Sequence, residues 1–151
     1  MKDAPDEELA AALEGLSDKR RRIGRWDARA VLVPLGRLVL ARGEEGAREE
    51  LERVRAAALR HGPAWEAAVQ EELSLSCAEH IQGTDARYLT LPTFDWDYVL
   101  EARERLEARV RAARALGTEP PPALWGLVLE ADRRIQAARG GSTGPSRKGL
   151  S

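Results

Sequence analysis

The sequence predicts an all-α, single-domain helical bundle of about six helices, two helical hairpins preceded by an N-terminal helix pair. Three observations carry that reading. Of 151 residues 25 are Ala, the best helix former, and Ala, Leu, Glu and Arg dominate while β-branched residues are few. Apolar residues recur at three-and-four spacing, with no alternating run that would suit a strand. Finally, the chain repeats a phrase. Val54-Arg55-Ala56-Ala57-Ala58-Leu59-Arg60-His61-Gly62-Pro63-Ala64-Trp65 is echoed by Val110-Arg111-Ala112-Ala113-Arg114-Ala115-Leu116-Gly117 and, past a Pro-rich joint, by Pro122-Ala123-Leu124-Trp125. Each copy reads as a helix, a Gly stop, a Pro start and a second helix.

The first helix is expected after Asp3, which can cap it, with Pro5 in its first turn and Asp6, Glu7 and Glu8 facing the positive end of its dipole. Leu9, Leu13 and Leu16 form its stripe. Ser17 can cap a second segment that starts at Asp18 and runs through Ile23, Trp26, Ala30, Val33 and Leu40. Pro34 lacks an N–H and should kink or restart that helix. Its run from Val31 to Leu40 is apolar nearly all round, which predicts the most buried element, stopped by Gly43.

Residues 44–61 carry Ala47, Leu51, Val54, Ala58 and His61 on one face, with Gly62 as the stop. Pro63 opens a fourth helix through Trp65, Val69, Leu73, Cys77 and Ile81, ending near Gly83. Thr84 to Pro92 reads as irregular. Thr93 or Asp95 then caps a long helix through Trp96, Val99, Leu106, Val110 and Ala113, stopped by Gly117. The last helix uses Leu124, Val128, Ala131, Ile135 and Ala138. The bundle is expected over 1–139, and 140–151, small and polar, as a disordered tail.

Composition narrows function mainly by exclusion. Basic residues number 24 and acidic 25, for a net charge of −1, so the overall basic excess of a nucleic-acid-binding domain is missing. Arg outnumbers Lys 21 to 3, which suits bidentate recognition but equally reflects coding in a GC-rich genome. One Cys excludes an intramolecular disulfide and a multi-Cys zinc site. The acidic start lacks the apolar core of a signal peptide, and the greasiest run falls well short of the ~20 residues that span a bilayer. A cytoplasmic protein without membrane contact is expected.

Catalytic groups are sparse. His61 and His80 are the only histidines, and neither has a Glu three residues before it, as a di-iron bundle would need. Cys77-x-x-His80 places a thiol and an imidazole one turn apart, half of a metal site at most; a buried structural Cys reads better. No Gly-rich phosphate loop is present. No catalytic residue, metal or cofactor is therefore expected.

Two segments suggest binding instead. Tyr88, Phe94, Trp96 and Tyr98 place four of the seven aromatics (four Trp, two Tyr, one Phe) within eleven residues, interleaved with Asp95 and Asp97. Such a loop on a helical scaffold suits a protein partner, because Tyr and Trp dominate interface hot spots. Alternatively, Phe94 and Trp96 staple the helix start while the two acids serve its dipole. Lys19, Arg20, Arg21, Arg22 and Arg25 could clamp phosphates of RNA or DNA, or form a solvated face flanked by Asp18 and Asp27. The acidic set Glu44, Glu45, Glu49, Glu50 and Glu52 suits a helix N-terminus and could oppose the basic cluster within the chain or across a homodimer. The expectation is a non-enzymatic accessory subunit that binds another protein, or itself as a homo-oligomer. A nucleic-acid-binding subunit using residues 19–25 is the alternative.

Overall fold

Stop and start residues set most of the helix boundaries. The computed structural model describes residues 4–18 and 20–143, and among them lie seven α-helices and no strand. The fold is an all-α bundle with one hydrophobic core.

Helix α1 (Pro5–Gly15) starts on Pro with three acids in its first turn. Ala4 stands at its cap with no side-chain hydrogen bond; the expected cap, Asp3, lies outside the described residues. Leu9 and Leu16 are fully buried.

The second segment does not begin at Asp18. Ser17 Oγ donates to the Glu14 carbonyl at 2.8 Å, and the Asp18 carboxylate accepts the Arg20 N–H at 3.0 Å. These local bonds hold the backbone in turns where a helix would otherwise start. Helix α2 (Arg25–Gly46) begins only after Gly24, whose N–H donates to the Asp27 carboxylate at 2.9 Å. It runs through Pro34 without breaking, contrary to expectation, and its one non-helical residue is Gly43 at φ 77°. Pro34 is buried within the helix, where packing on the neighbouring helices holds the backbone helical despite the lost hydrogen bond to the Ala30 carbonyl. The inward stripe is Ala28, Val31, Leu32, Leu35, Leu38 and Val39, while Trp26, Ala30 and Leu40 face out. A run that is apolar on all sides fits several helical phases, and neighbouring helices selected this one.

Helices α3 (Arg48–His61) and α4 (Pro63–Gly83) follow the predicted punctuation. Between them Gly62 takes φ 61°, a left-handed conformation that a Cβ would strain. Leu51 and Val54 on α3, and Trp65, Val69, Leu73 and Cys77 on α4, are buried as the spacing requires. The His61 ring donates to the Leu16 carbonyl at 3.0 Å and ties the end of α3 to the end of α1. The expected irregular stretch contains one additional helical turn, α5 (Ala86–Leu89), which Asp85 caps through the Arg87 N–H. Asp95 caps α6 (Trp96–Ala115), its carboxylate accepting the Tyr98 N–H at 3.0 Å. The last helix, α7 (Pro122–Thr143), extends four residues into the expected tail; residues 144–151 lie outside those described.

Helix α2 is the hub, packing on α1, α3, α4 and α6, and α4 in turn carries α6 and α7. The α2–α6 approach depends on Gly36, where a Cβ would lie 1.8 Å from the carbonyl oxygen of Ala108. The two echoes meet side by side. Arg55 Nη2 in the first donates to the Ala115 carbonyl in the second at 2.9 Å. Their tryptophans differ in setting: Trp65 is buried, whereas Trp125 is half-buried between the guanidinium groups of Arg103 and Arg114. Among the described residues no helix is long and apolar enough to cross a membrane.

Candidate binding pocket

The core of this bundle contains an unusual amount of charge. Glu72 lies in the middle of α4 with no exposed surface. One of its oxygens accepts Arg25 Nε at 2.8 Å, and the other accepts Ser76 Oγ at 2.7 Å. Arg109 Nε on α6 stands 3.1 Å from that second oxygen, and Arg29 Nε stands 3.8 Å away. One buried carboxylate therefore gathers three arginines from α2 and α6. Such a cluster is tolerable only when the charges compensate each other, since burial strips each of its water.

Compensation is incomplete. Arg109 retains only 4% of its surface, and neither its Nε nor its Nη1 makes a hydrogen bond. A buried donor left unmade costs about 1–3 kcal/mol, and more when charged. Burial first, then repulsion from Arg29 and Arg105, lowers the Arg109 pKa to about 10, with Glu72 and Glu79 acting the other way. At neutral pH the group still carries its charge.

Arg109 lines a pocket of about 200 Å³ between α2, α4 and α6. Arg29 comes from α2, Ser76, Glu79 and His80 from α4, and Tyr98, Arg105 and Arg109 from α6. Phe94, Val99, Ala102 and Leu106 supply an apolar wall. His80 is 7% exposed and makes no hydrogen bond at either ring nitrogen. Burial holds its pKa below the usual value, opposed by Asp132 at 3.6 Å and reinforced by Arg103 and Arg134. Two buried polar side chains with unmet hydrogen bonds, each beside one carboxylate, thus line one small cavity. A larger groove, about 380 Å³, lies where the two echoes meet. Its polar groups are satisfied: Arg55 by the Ala115 carbonyl and Thr118 Oγ1 by Glu66 at 3.1 Å.

The structure divides the aromatic set. Phe94 and Trp96 are half-buried and meet edge to face at 4.9 Å, closing the start of α6. Tyr98 is 64% exposed at the pocket and Tyr88 is exposed but does not line it. The basic set is likewise dispersed. Arg25 turns inward to Glu72 and also meets Glu79 at 3.3 Å. Arg21 binds the Gly15 carbonyl at 2.9 Å and the Asp27 carboxylate. Arg20 and Arg22 are exposed, and Lys19 lies outside the described residues. Residues 20–24 form a loop, and Arg25 opens α2.

Comparison with protein-family models, curated proteins and solved structures finds no match. The site therefore rests on its own geometry. Sequence reasoning missed Trp26, Arg29, Glu72, Ser76 and Arg109. Trp26 is 63% exposed, with the guanidinium groups of Arg25 and Arg29 over its ring at 4.5 and 5.4 Å. Arg25 and Arg29, one residue before Trp26 and three after it, were the available signal that this Trp belongs to a polar face. Cys77 and His80 sit in the core, and burial raises the Cys77 pKa, so its thiol stays protonated. No group of three or more metal-binding side chains occurs among the described residues.

Proposed function

We propose that this chain is a non-enzymatic, cytoplasmic interaction protein, an accessory subunit that binds another protein or a second copy of itself. The observation that carries this reading is an exposed aromatic–arginine surface on a rigid support. Trp26 lies against Arg29, Arg29 lines the pocket, and Tyr98 stands on the same pocket with most of its ring in water. Tyr88 and Leu91, both exposed, lie on the successive turns that lead to Phe94. Trp, Tyr and Arg are the residues that anchor protein interfaces.

The dispersal of residues 19–25 weighs against a phosphate clamp, because Arg21 and Arg25 are already committed to partners within the chain.

The test replaces Trp26, Tyr88 and Tyr98 with Ala together. Sedimentation velocity, for self-association, and affinity capture from the native host, for a foreign partner, should each compare this variant with the wild type. The expected result is loss of one of these associations with an unchanged helical circular dichroism spectrum. Associations that persist undiminished would remove these three residues from the contact surface and end the proposal.

A further inference from the structure

We infer that the Arg109 pocket is a binding site for a small organic monocarboxylate. Arg29, Arg105 and Arg109 hold its charged end, and its apolar body lies against Phe94, Val99 and Leu106. This goes beyond the protein-contact reading and needs nothing from Trp26 or Tyr88.

The charge pattern calls for an anion. Four guanidinium groups, those of Arg25, Arg29, Arg105 and Arg109, surround the pocket and the Glu72 cluster beneath it. The opposing carboxylates are largely occupied. Glu72 binds Arg25 and Ser76, Glu79 meets Arg25 at 3.3 Å, and Asp95 caps the Tyr98 N–H. Glu101 reaches Arg105 only at 4.0 Å, from the solvent side. What remains is Arg109, a residue that lines the cavity and whose buried Nη1 has no acceptor within the protein. His80, which lines the same cavity from α4 and makes no hydrogen bond, can add a neutral N–H.

The same surroundings select the kind of anion. Glu72, Glu79 and Asp95 would repel a second negative charge, which disfavours phosphate. A planar carboxylate matches the two-pronged guanidinium fork. The volume, about 200 Å³, is below the ~300–1,000 Å³ of drug-sized pockets, so the body is the size of one ring or a short branched chain.

The experiment is calorimetric titration of the full chain with benzoate, isovalerate, benzamide and inorganic phosphate, with amide NMR to place the site. Benzoate or isovalerate should saturate with one-to-one stoichiometry and shift the amides of residues 76–83 and 94–109. Benzamide, which has the shape of benzoate without its charge, should bind about tenfold more weakly or worse. Arg105→Gln removes a partly exposed member of the set whose ion pair is the 4.0 Å one to Glu101, and should weaken carboxylate binding about tenfold while leaving the melting temperature close to wild type. Arg29→Gln should weaken binding by a similar factor but also lower the melting temperature, because Arg29 stands 3.8 Å from the buried Glu72 carboxylate. The site is overturned if neither carboxylate binds, if benzamide equals benzoate, if phosphate alone binds, or if both arginine variants keep full affinity. Arg29 and Tyr98 belong to both surfaces, but titration of the wild-type chain reads the pocket and the association assays read the contact face, so the failure of either leaves the other standing.

Discussion

At the scale of single residues, the decisive group is Glu72, a carboxylate with no exposed surface that neutralises arginines from two other helices. Removing one partner of a buried ion pair leaves the others uncompensated, which costs about 3–5 kcal/mol; replacing the whole set with well-packed apolar residues is often neutral. Glu72→Gln should therefore lower the unfolding free energy by about 3 kcal/mol in a urea titration. Glu72→Leu combined with Arg109→Leu should recover much of the loss, though Arg25 then lacks its main acceptor. A cost for Glu72→Gln under about 1 kcal/mol would mean that water reaches the cluster and that it behaves as a surface pair. None of this was legible in the sequence. Arg25 and Glu72 are 47 residues apart, and within α4 Glu72 stands beside the apolar stripe like any solvated acid. Nor does anything local distinguish the buried Arg109 from Arg105 or Arg111 on the same helix. Only the packing of three helices determines which charge loses its water.

At the scale of elements, close backbone approach explains a residue that helix propensity would reject. Gly costs a helix interior about 1 kcal/mol relative to Ala, yet Gly36 sits mid-helix in α2, buried against Ala108. A Cβ there would overlap the Ala108 carbonyl at 1.8 Å, and backbone cannot yield as a flexible side chain does. Overpacking typically costs about 1–3 kcal/mol, and forcing two helices apart belongs at the upper end. Gly126 in α7 has nothing within 4 Å of its would-be Cβ. The two substitutions should thus have opposite signs. Gly36→Ala should lower the thermal midpoint, while Gly126→Ala should raise stability by up to ~1 kcal/mol. Equal, stabilising effects would rule out the tight α2–α6 crossing. The elements that the sequence rendered well, α3, α4 and α6, are those bounded by Gly62, Pro63, Asp95 and Gly117, whose effect on the backbone is local. The start of α2 was misplaced because Ser17 and Asp18 look like caps but spend their side chains on turns. The phase of α2 was misassigned for a different reason. Its apolar run offers several equivalent faces, and the choice depends on α4 and α6 rather than on α2.

At the scale of the whole molecule, the contacts are concentrated rather than evenly spread. Helix α2 touches four other helices, whereas α1 packs mainly on α2, and α7 mainly on α4 with a minor contact to α5. Helix α7 is joined to α6 chiefly by side chains, above all the Arg103 fork, whose Nε and Nη2 each donate to Asp132 at 2.9 Å. Free energy of opening follows such differences, because a segment with fewer buried contacts can detach without unfolding the rest. Native-state hydrogen exchange should therefore find the slowest amides in the central turns of α2, α4 and α6, opening only with global unfolding. Those of α1 and the C-terminal half of α7 should exchange earlier, by partial opening. The pocket draws its arginines from α2 and α6, so they would be held by the most protected part of the molecule, while Phe94 and Asp95 at its edge come from the short connection before α6. That arrangement gives fixed charges a more adaptable rim, as a binding site on a rigid scaffold requires. If α7 proves as protected as α2, the bundle opens as one unit. The rigidity of the pocket would then have to be credited to the whole fold rather than to its α2-centred half.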